Sequence, residues 1–384
     1  MKRYFSILSI IGVLSIVIFS CQTQSNSATY STSQGVTSTP LQVKYAKTFS
    51  LDYKENYKVL HLINPFNEEK TSFVLLQKGQ SIPQEFTTSQ VIRVPIQNMV
   101  TTTTSQTTMM EELGAIDAIK GYVDKTYMYS QEIVDRMDNG KIITVGYDIT
   151  DNSEKIILAQ TDLVMVVGNS TVTSNSFPVL RKAGIPILSN TDWQENDMLG
   201  RAEWVKLFGA LLNKEDKADS LFNQIETDFN SYINIAKKAS SIPKVLTGLP
   251  YKGMWSVPGG ASYLAKALEQ SKATYPWSES DQTGSLQLDL EAVYAKGKDA
   301  KIWINTGSTF SLNDIINKDI RYGQFDAFKN GEVYNHNKRM RGGLASDYWA
   351  TGNLHPEIVI ADLIKIFHPE LLADHQLYFY QKLK

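Results

Sequence analysis

The sequence predicts an α/β protein of two pseudo-symmetric α/β lobes that are joined by one long helix, with a ligand cleft between them. Three observations support this fold class. An amphipathic stretch lies near the middle of the chain, short apolar runs alternate with helical segments on either side of it, and one phrase recurs in both halves. The length of 384 residues exceeds one ordinary core, so two domains are expected.

The central stretch covers residues 216–238 and is predicted to be the linker helix. Its apolar residues recur every three or four positions and therefore form one stripe along a helix. They are Ala218, Leu221, Phe222, Ile225, Phe229, Tyr232, Ile233 and Ala236. Asp216 is the expected N-cap, because its carboxylate can accept hydrogen bonds from first-turn amides. Pro243 prevents the helix from continuing, because proline has no amide hydrogen to donate.

The two halves share a short phrase. Glu154 opens a short apolar helix, and Asp162, eight residues later, precedes a buried strand. Glu291 and Asp299 stand in the same relation in the second half, so one offset aligns both acids. A phrase this short can align by chance, but the helix-then-strand character on both sides favours a structural repeat.

The first lobe is predicted at residues 41–215, with an extra β segment at 43–93. Between residues 57 and 76, a turn rich in Asn and Pro separates two apolar runs, which is typical of a β-hairpin. From Thr101 onward short apolar runs alternate with helical segments, which predicts a parallel sheet covered by helices. The same alternation resumes in residues 239–384, the predicted second lobe.

The composition is that of a globular protein, with 42% apolar and 20% charged residues and a net charge of −2. Without a strong basic excess, nucleic acid is not an expected partner. The 19 Tyr and 6 Trp residues serve either core packing or a surface that stacks on a ring-rich ligand.

The N-terminus predicts a lipoprotein signal peptide over residues 1–21. Basic residues at positions 2 and 3 precede an apolar run over residues 4–19, as in a secretory signal. Cys21 is the only cysteine, so a disulfide within the chain is impossible. A small residue followed by a lone Cys at the end of the apolar run indicates lipidation at Cys21. The alternative is an ordinary signal peptide or anchor with an incidental cysteine.

Residues 22–40 are rich in Ser, Thr and Gln and contain no charged residue. Such a segment cannot bury enough apolar area to fold, so we expect a disordered tether. The chain is therefore expected in the cell envelope, anchored to a membrane and facing the periplasm or the cell exterior.

No motif for catalysis or for a protein-built metal site is present in the sequence. The five histidines form no HxH, HxxH or HExxH pattern, and no GxSxG, P-loop or GxGxxG occurs. We therefore predict neither an enzyme nor a cofactor. Ligands of open α/β folds bind beyond the carboxyl ends of the strands, and two facing lobes create a cleft there.

Side chains in the loops at those strand ends are the candidates for ligand contact. Aromatic rings can stack on a flat ligand, and Arg can bind carboxylate or phosphate in a bidentate manner. The candidates are Tyr127, Tyr129, Trp193, Trp255, Trp277, Arg339, Arg341, Tyr348 and Trp349. The alternative is core packing for each aromatic and a solvated loop for residues 338–341.

Three local phrases carry a resemblance to a known family. Residues 200–206 read GRAEWVK, residues 255–263 read WSVPGGASY and residues 347–352 read DYWATG. With the lipoprotein start and the linker helix, they resemble the class III periplasmic substrate-binding proteins of iron–siderophore and vitamin B12 ABC importers. The strand-rich segment before Val94 departs from the start typical of that family, and the sequence assigns it no role.

The resemblance implies partners as well as a fold. In this family a surface glutamate on each lobe docks into arginine pockets of the permease dimer, and the matching residues are Glu154 and Glu291. Alternatively, each serves only the dipole of the helix that it opens. The expected protein is a monomeric lipoprotein that delivers a ferric siderophore, cobalamin or related metal chelate to the permease. The rival interpretations are an envelope hydrolase on a similar scaffold and a metal-ion or haem-binding chaperone.

Overall fold

The computed structural model describes residues 30–31, 37–38, 40–173 and 175–384. The predicted signal peptide with Cys21, and most of the predicted tether, lie outside the described residues. Within the described part, two short strands, β1 (Tyr30–Ser31) and β2 (Thr37–Ser38), pair antiparallel. None of the helices in the described ranges is both long and apolar enough to cross a membrane.

A four-stranded sheet precedes the first lobe, and we call it the N-terminal sheet. Its strands are β3 (Phe49–Tyr53), β4 (Lys58–Ile63), β5 (Lys70–Gln77) and β6 (Val91–Val94). They lie side by side in chain order, with β3–β4 and β4–β5 antiparallel and β5–β6 parallel. The hairpin expected between residues 57 and 76 is formed by β4 and β5, whose apolar side chains are buried.

The first lobe is a five-stranded parallel sheet with helical connections. Its elements are β7 (Met99–Thr101), α1 (Thr104–Glu112), β8 (Ile119–Tyr122), α2 (Gln131–Asp138), β9 (Ile143–Thr144), α3 (Ser153–Leu158), β10 (Leu163–Val167), α4 (Pro178–Lys182), β11 (Ile187–Asn190) and α5 (Met198–Ala202). The strand order is β11-β10-β7-β8-β9. The alternation of apolar runs and helical segments therefore predicted this sheet correctly.

Two helices follow, α6 (Val205–Leu212) and the linker helix α7 (Glu215–Ala236). The prediction of Asp216 as N-cap was wrong, because α7 begins at Glu215 and its N-cap is Lys214. The reason is Asn213, whose left-handed conformation (φ 53°) ends α6 immediately before the next helix starts. Asp216 instead lies in the first turn, where the helix dipole favours a carboxylate.

The second lobe repeats the pattern with a four-stranded sheet. Its elements are β12 (Val245–Thr247), β13 (Trp255–Pro258), α8 (Tyr263–Gln270), β14 (Ser285–Leu288), α9 (Leu290–Gly297), β15 (Ile302–Ile304), α10 (Leu312–Ile316), α11 (Asp326–Lys329), β16 (Val333–Asn335), β17 (Met340–Arg341), β18 (Ala345–Ser346), α12 (Asp347–Ala350), α13 (Pro356–Phe367) and β19 (Gln381–Lys382). The order is β12-β15-β16-β19, with only β19 antiparallel to its neighbour. Strands β13–β14 and β17–β18 form two small antiparallel pairs.

The repeated acids occupy equivalent places in the two sheets. In the first lobe, Asp162 precedes β10 and accepts hydrogen bonds from the amides of Gln97 (2.9 Å) and Asn98 (3.0 Å), just before β7. In the second lobe, Asp299 precedes β15 and pairs with Lys244 (2.6 Å), just before β12. Each acid thus holds the start of its lobe's first strand. The predicted fold class, two pseudo-symmetric lobes joined by one long helix, is confirmed.

A buried carboxylate attaches the N-terminal sheet to the first lobe. Glu203, which is fully buried, accepts hydrogen bonds from three successive amides, those of Lys44 (2.8 Å), Tyr45 (2.6 Å) and Ala46 (2.9 Å). It also pairs with Lys206 Nζ at 3.0 Å. Such a carboxylate satisfies several buried donors at once, because both of its oxygens accept.

A second carboxylate continues the same arrangement. Glu195 accepts from the amides of Lys47 (2.8 Å) and Thr48 (3.0 Å), from the Thr48 hydroxyl (2.5 Å) and from the Trp204 indole (3.2 Å). Burial raises the pKa of Glu195, although these hydrogen bonds act in the opposite direction. Together the two carboxylates hold residues 44–48, which we call the clamped segment.

The linker helix takes part in the same attachment. Glu226 of α7 accepts from the Tyr45 hydroxyl (2.7 Å) and pairs with Lys44 Nζ (3.0 Å). Glu215, in the first turn of α7, pairs with the buried ammonium group of Lys58 in β4. The N-terminal sheet is therefore fixed both to the first lobe and to the helix that joins the lobes.

Candidate ligand-binding cleft

A cavity of about 510 Å³ lies where the strands of the second sheet end. Residues at the ends of β12, β15 and β16 line it, and the first lobe contributes Tyr127. The strand-end residues are Thr247, Gly248, Asn305, Gly307, His336 and Asn337. The carboxyl ends of parallel strands are the usual ligand position in open α/β folds, and the volume is typical of a small-molecule site.

Aromatic rings form one wall of this cavity. Tyr348 and Trp349 of α12 line it, and the imidazole of His336 stacks on Tyr348 with ring centroids 4.2 Å apart and planes within 13°. Trp349 stands edge-on to His336 at 5.2 Å, and half of its side chain is exposed. Tyr127 and Phe310 are also exposed and line the cavity. Such rings can stack on a planar or ring-containing ligand.

Three polar atoms of the lining have unused hydrogen-bonding capacity. The hydroxyls of Thr247 and Ser346 and the Nδ1 atom of His336 are buried and have no hydrogen-bond partner among the described residues. Burial lowers the pKa of His336 to about 4, so its imidazole is neutral near pH 7. Buried polar atoms are normally paired, and these three have almost no accessible surface, so a ligand would reach them only after a local side-chain movement.

A short hairpin covers part of the cavity. Strands β17 and β18 are joined through Gly342 (φ 59°) and Gly343 (φ 72°), whose left-handed backbone favours glycine. Arg341, next to the turn of this hairpin, donates from Nε to the Met128 carbonyl (2.6 Å) and from Nη2 to the Lys125 carbonyl (2.5 Å). The structure therefore uses Arg341 to join the two lobes, beside the cavity rather than in its lining.

Arg339 and Tyr129 meet each other outside the cavity lining. The Arg339 Nε atom pairs with the buried carboxylate of Asp347 at 2.5 Å. Its guanidinium group lies 4.3 Å from the ring centroid of Tyr378 and 5.7 Å from that of Tyr129. Arg339 is thus held by an ion pair and by aromatic faces from both lobes.

Two of the candidate tryptophans belong to the core of the second lobe. Trp255 has no exposed surface, stacks on Trp303 at 5.7 Å and donates its indole N–H to the Thr247 carbonyl (2.9 Å). Trp277 is 7% exposed and packs edge-on to Tyr275 at 5.5 Å. Their burial corrects the expectation that they contact a ligand, because neither ring reaches the cavity.

Trp193 lies against the N-terminal sheet. Its ring packs on Phe66 at 5.6 Å, and its indole donates to the Gly168 carbonyl at 2.9 Å. Of the nine candidates, the structure brings three together in the cavity lining: Tyr127, Tyr348 and Trp349.

Sequence reasoning missed the polar residues of the lining. Thr247 is the last residue of β12, Asn305 follows β15 directly, and His336 follows β16 directly. Their position immediately after a predicted apolar strand is a signal that could have identified them. In the described residues, no group of three or more His, Cys, Asp or Glu side chains could hold a metal ion.

Glu154 and Glu291 lie on the surface at equivalent positions. Glu154 stands in the first turn of α3, which precedes β10, and Glu291 stands in the first turn of α9, which precedes β15. Glu154 is exposed, and the Glu291 side chain is 76% exposed, with Arg321 Nη1 at 3.7 Å. Neither residue lines the cavity.

Direct hydrogen bonds join the two lobes beside the cavity. The Thr104 hydroxyl in α1 donates to the Trp349 carbonyl in α12 at 3.1 Å. The Asn353 amide donates to the buried Asp192 carboxylate at 2.8 Å. Together with Arg341, these contacts connect the two lobes beside the cavity.

His355 adds an ionic contact between the lobes. Its Nδ1 atom lies 2.8 Å from Glu357 of the second lobe, and its Nε2 atom lies 3.7 Å from Glu112 of the first. Burial alone would lower the pKa of His355, but the hydrogen bonds to the two carboxylates raise it to about 9. The charged imidazolium is therefore the form that the folded protein favours.

This ionic contact predicts a pH-dependent stability. The stabilisation from His355 is fully present below its unfolded pKa of about 6.5, and it is lost as the pH rises through about 9. Glu112 is partly exposed, so solvent screening reduces the expected loss to about 1–2 kcal/mol. Denaturant unfolding at pH 6 and pH 9.5 should show this decline in the parent protein and a smaller one in His355→Gln. Identical pH profiles for both proteins would contradict this role.

Comparison with known proteins places this geometry among binding proteins. The family model described as periplasmic binding protein matches residues 99–340. An uncharacterized lipoprotein of Methanocaldococcus jannaschii is 29% identical over 88% of this chain and 85% of its own length. An Fe³⁺-hydroxamate transport system protein from Saccharomonospora viridis has a TM-score of 0.52 at 16% identity, over 71% of this chain and 94% of its own. A periplasmic heme binding protein from Pseudomonas aeruginosa has a TM-score of 0.53 at 15% identity, over 71% and 93%.

Proposed function

The chain belongs to the periplasmic binding protein family, and from this premise we propose that it captures a ferric siderophore, cobalamin or related metal chelate and delivers it to an ABC permease dimer. The family consists of solute-binding proteins and not of enzymes. The resemblance drawn from the sequence is thereby confirmed at the level of the family. The choice of ligand and of permease is our proposal.

The cavity is the observation that carries this proposal. It combines a volume of about 510 Å³ with exposed aromatic rings and with hydroxyl, amide and imidazole groups at strand ends. A chelate has apolar surface, which can contact the aromatic rings, and polar edges, which can hydrogen-bond to the polar groups of the lining. Two proteins of similar structure are named for Fe³⁺-hydroxamate transport and for heme binding, which supports a chelate as the ligand class.

We also propose that the protein is a monomeric lipoprotein attached through Cys21 and facing the periplasm or the cell exterior. The name of the Methanocaldococcus relative supports this attachment, because it is called a lipoprotein. In this proposal residues 1–21 are the signal peptide and residues 22–40 the tether. Lobes at 41–215 and 239–384 then flank a linker at 216–238.

A fluorescence titration tests the binding site. Trp349 is half exposed in the cavity lining, so a bound chelate should quench its emission. We expect Trp349→Phe to lose most of the ligand-induced quenching that the parent protein shows. Trp193→Phe is the matched control, because Trp193 lies outside the cavity lining, and this variant should keep the signal.

If no chelate of a panel of siderophores, corrinoids and haem binds, the proposed ligand class is wrong. Quenching that survives in Trp349→Phe but disappears in Trp193→Phe would move the site away from this cavity.

A further inference from the structure

The cavity has an uncharged lining. All twenty residues that line it are neutral near pH 7, since they carry hydroxyl, amide, aromatic, aliphatic or thioether groups or are Gly and Pro. The one imidazole among them, that of His336, is kept neutral by its burial. Polar groups are therefore plentiful in the lining, while formal charge is confined to residues behind it or at its rim.

Three charged residues near the cavity are engaged elsewhere, and a fourth, Arg201, lies behind an aromatic ring of the lining. Arg339 is paired with Asp347, and Arg341 donates to two backbone carbonyls of the first lobe. The Arg201 guanidinium lies over the ring of Tyr263, 4.1 Å from its centroid, and does not line the cavity. The ammonium group of Lys125 pairs with Asp138. Of these four neighbours, Arg201 alone makes neither an ion pair nor a hydrogen bond to a backbone carbonyl, and its buried Nε has no hydrogen-bond partner among the described residues. It lies outside the lining, so a ligand anion in the cavity would directly contact no cation.

This lining treats neutral and charged ligand groups differently. An ion that leaves water for an enclosed site without a counter-charge loses its hydration and gains little in return. A neutral polar group loses much less and can pair with the exposed hydroxyls of Ser285 and Ser308 in the lining. The cavity therefore discriminates by charge as well as by shape.

We infer that the part of the ligand enclosed by this cavity carries no net charge. This inference rests on the proposed function and narrows it to chelates whose own ligand atoms balance the metal charge. Ferric iron bound by three hydroxamates is such a neutral complex, because their three single negative charges balance the charge of the metal. Ferric iron bound by the same number of doubly charged catecholates keeps a large negative charge, and the lining would disfavour it.

Paired titrations test the inference on the full-length chain in detergent. The two probes are a ferric tris-hydroxamate of zero net charge and a ferric tris-catecholate, both titrated at pH 7 by fluorescence quenching. We expect the neutral complex to bind at least about 100-fold more tightly, because a charge is costly to enclose without a partner. The iron-free forms of both chelators serve as ligand controls.

A charge introduced into the lining should change this preference. Ser308 is exposed and lines the cavity, so Ser308→Arg adds a cation there without disturbing the core. Binding of the tris-catecholate should tighten about tenfold in this variant, while binding of the neutral complex should not improve. Ser81→Arg adds the same charge to an exposed loop of the N-terminal sheet and should leave both affinities at the parent values.

The outcomes separate this inference from the proposed function. Equal or tighter binding of the tris-catecholate by the parent protein would overturn the inference and leave the proposed function intact. Absence of binding for both iron complexes and for a neutral corrinoid would overturn both together. Selective binding of a neutral complex, with the preference shifted by Ser308→Arg and not by Ser81→Arg, supports both.

Discussion

Replacing Glu154 and Glu291 together by lysine is expected to abolish chelate uptake in cells while leaving chelate affinity unchanged. The two side chains are exposed, occupy equivalent places on two pseudo-symmetric lobes and lie outside the cavity lining. A permease dimer with two-fold symmetry presents two equivalent docking sites, and one acid on each lobe matches that symmetry. Loss of a desolvated interfacial charge pair costs about 2–5 kcal/mol, and the double variant loses two such pairs.

Three measurements on one set of variants test this result. They are uptake in cells, docking to the permease in nanodiscs and chelate titration of the isolated protein. Glu55→Lys with Glu279→Lys is the matched control, because both residues are exposed and the net charge changes equally. Normal uptake by the Glu154/Glu291 variant would remove these residues from the docking mechanism. A collapse of chelate affinity in a folded protein would instead place them in the ligand site.

Replacing Glu203 by alanine is expected to destabilise the folded protein by about 3–5 kcal/mol, because it removes the nearest carboxylate from a buried cation. The other acid near Lys206 Nζ is the partly exposed Asp219, at 3.7 Å. The Lys206 side chain is 1% exposed, and Glu203 has no exposed surface. The same substitution removes the shared acceptor of three successive amides in the clamped segment. Removal of one member of a buried charged network costs more than the network itself contributes, since the remaining groups stay desolvated.

Denaturant unfolding at pH 7 measures this effect. Glu226→Ala is the matched control, because Glu226 contacts the same clamped segment from the surface, and its loss should cost about 0–1 kcal/mol. Removing both buried charges in Glu203→Leu/Lys206→Met should recover part of the lost stability, because no unpaired cation remains. A loss of less than about 1 kcal/mol in Glu203→Ala would show that Lys206 and the three amides find other partners.

The overall fold was predictable because its signals are local. The apolar spacing of residues 216–238 located the linker helix, and the recurrence of Glu154 with Asp162 in the second half located the repeat. The start of α7 was not predictable from its own residues, since the turn at Asn213 sets it. The attachment of the N-terminal sheet was also beyond sequence reasoning, because Glu203 is far along the chain from the amides whose hydrogen bonds it accepts.

The cleft was predictable only in part. Position after a strand identified Tyr127, and aromatic character identified Tyr348 and Trp349, all of which line the cavity. Aromatic character alone does not distinguish a cleft wall from a core, because burial depends on tertiary packing, as Trp255 shows. Hydroxyl and amide residues such as Thr247 were overlooked, because single polar residues after strands are common in any sequence.

The attachment of residues 44–48 also decides how a mechanical load on the N-terminus would spread. The side-chain acceptors that hold these backbone amides belong to Glu195 and Glu203 of the first lobe, and the Tyr45 hydroxyl bonds Glu226 of the linker helix. A pulling force entering ahead of residue 44 would therefore pass into the first lobe and the linker. The second lobe carries most of the cavity lining and would feel that tension only through the helix and the contacts across the cleft. A tethered molecule would then keep one lobe still relative to its anchor, and the other would supply the movement that admits and releases the ligand.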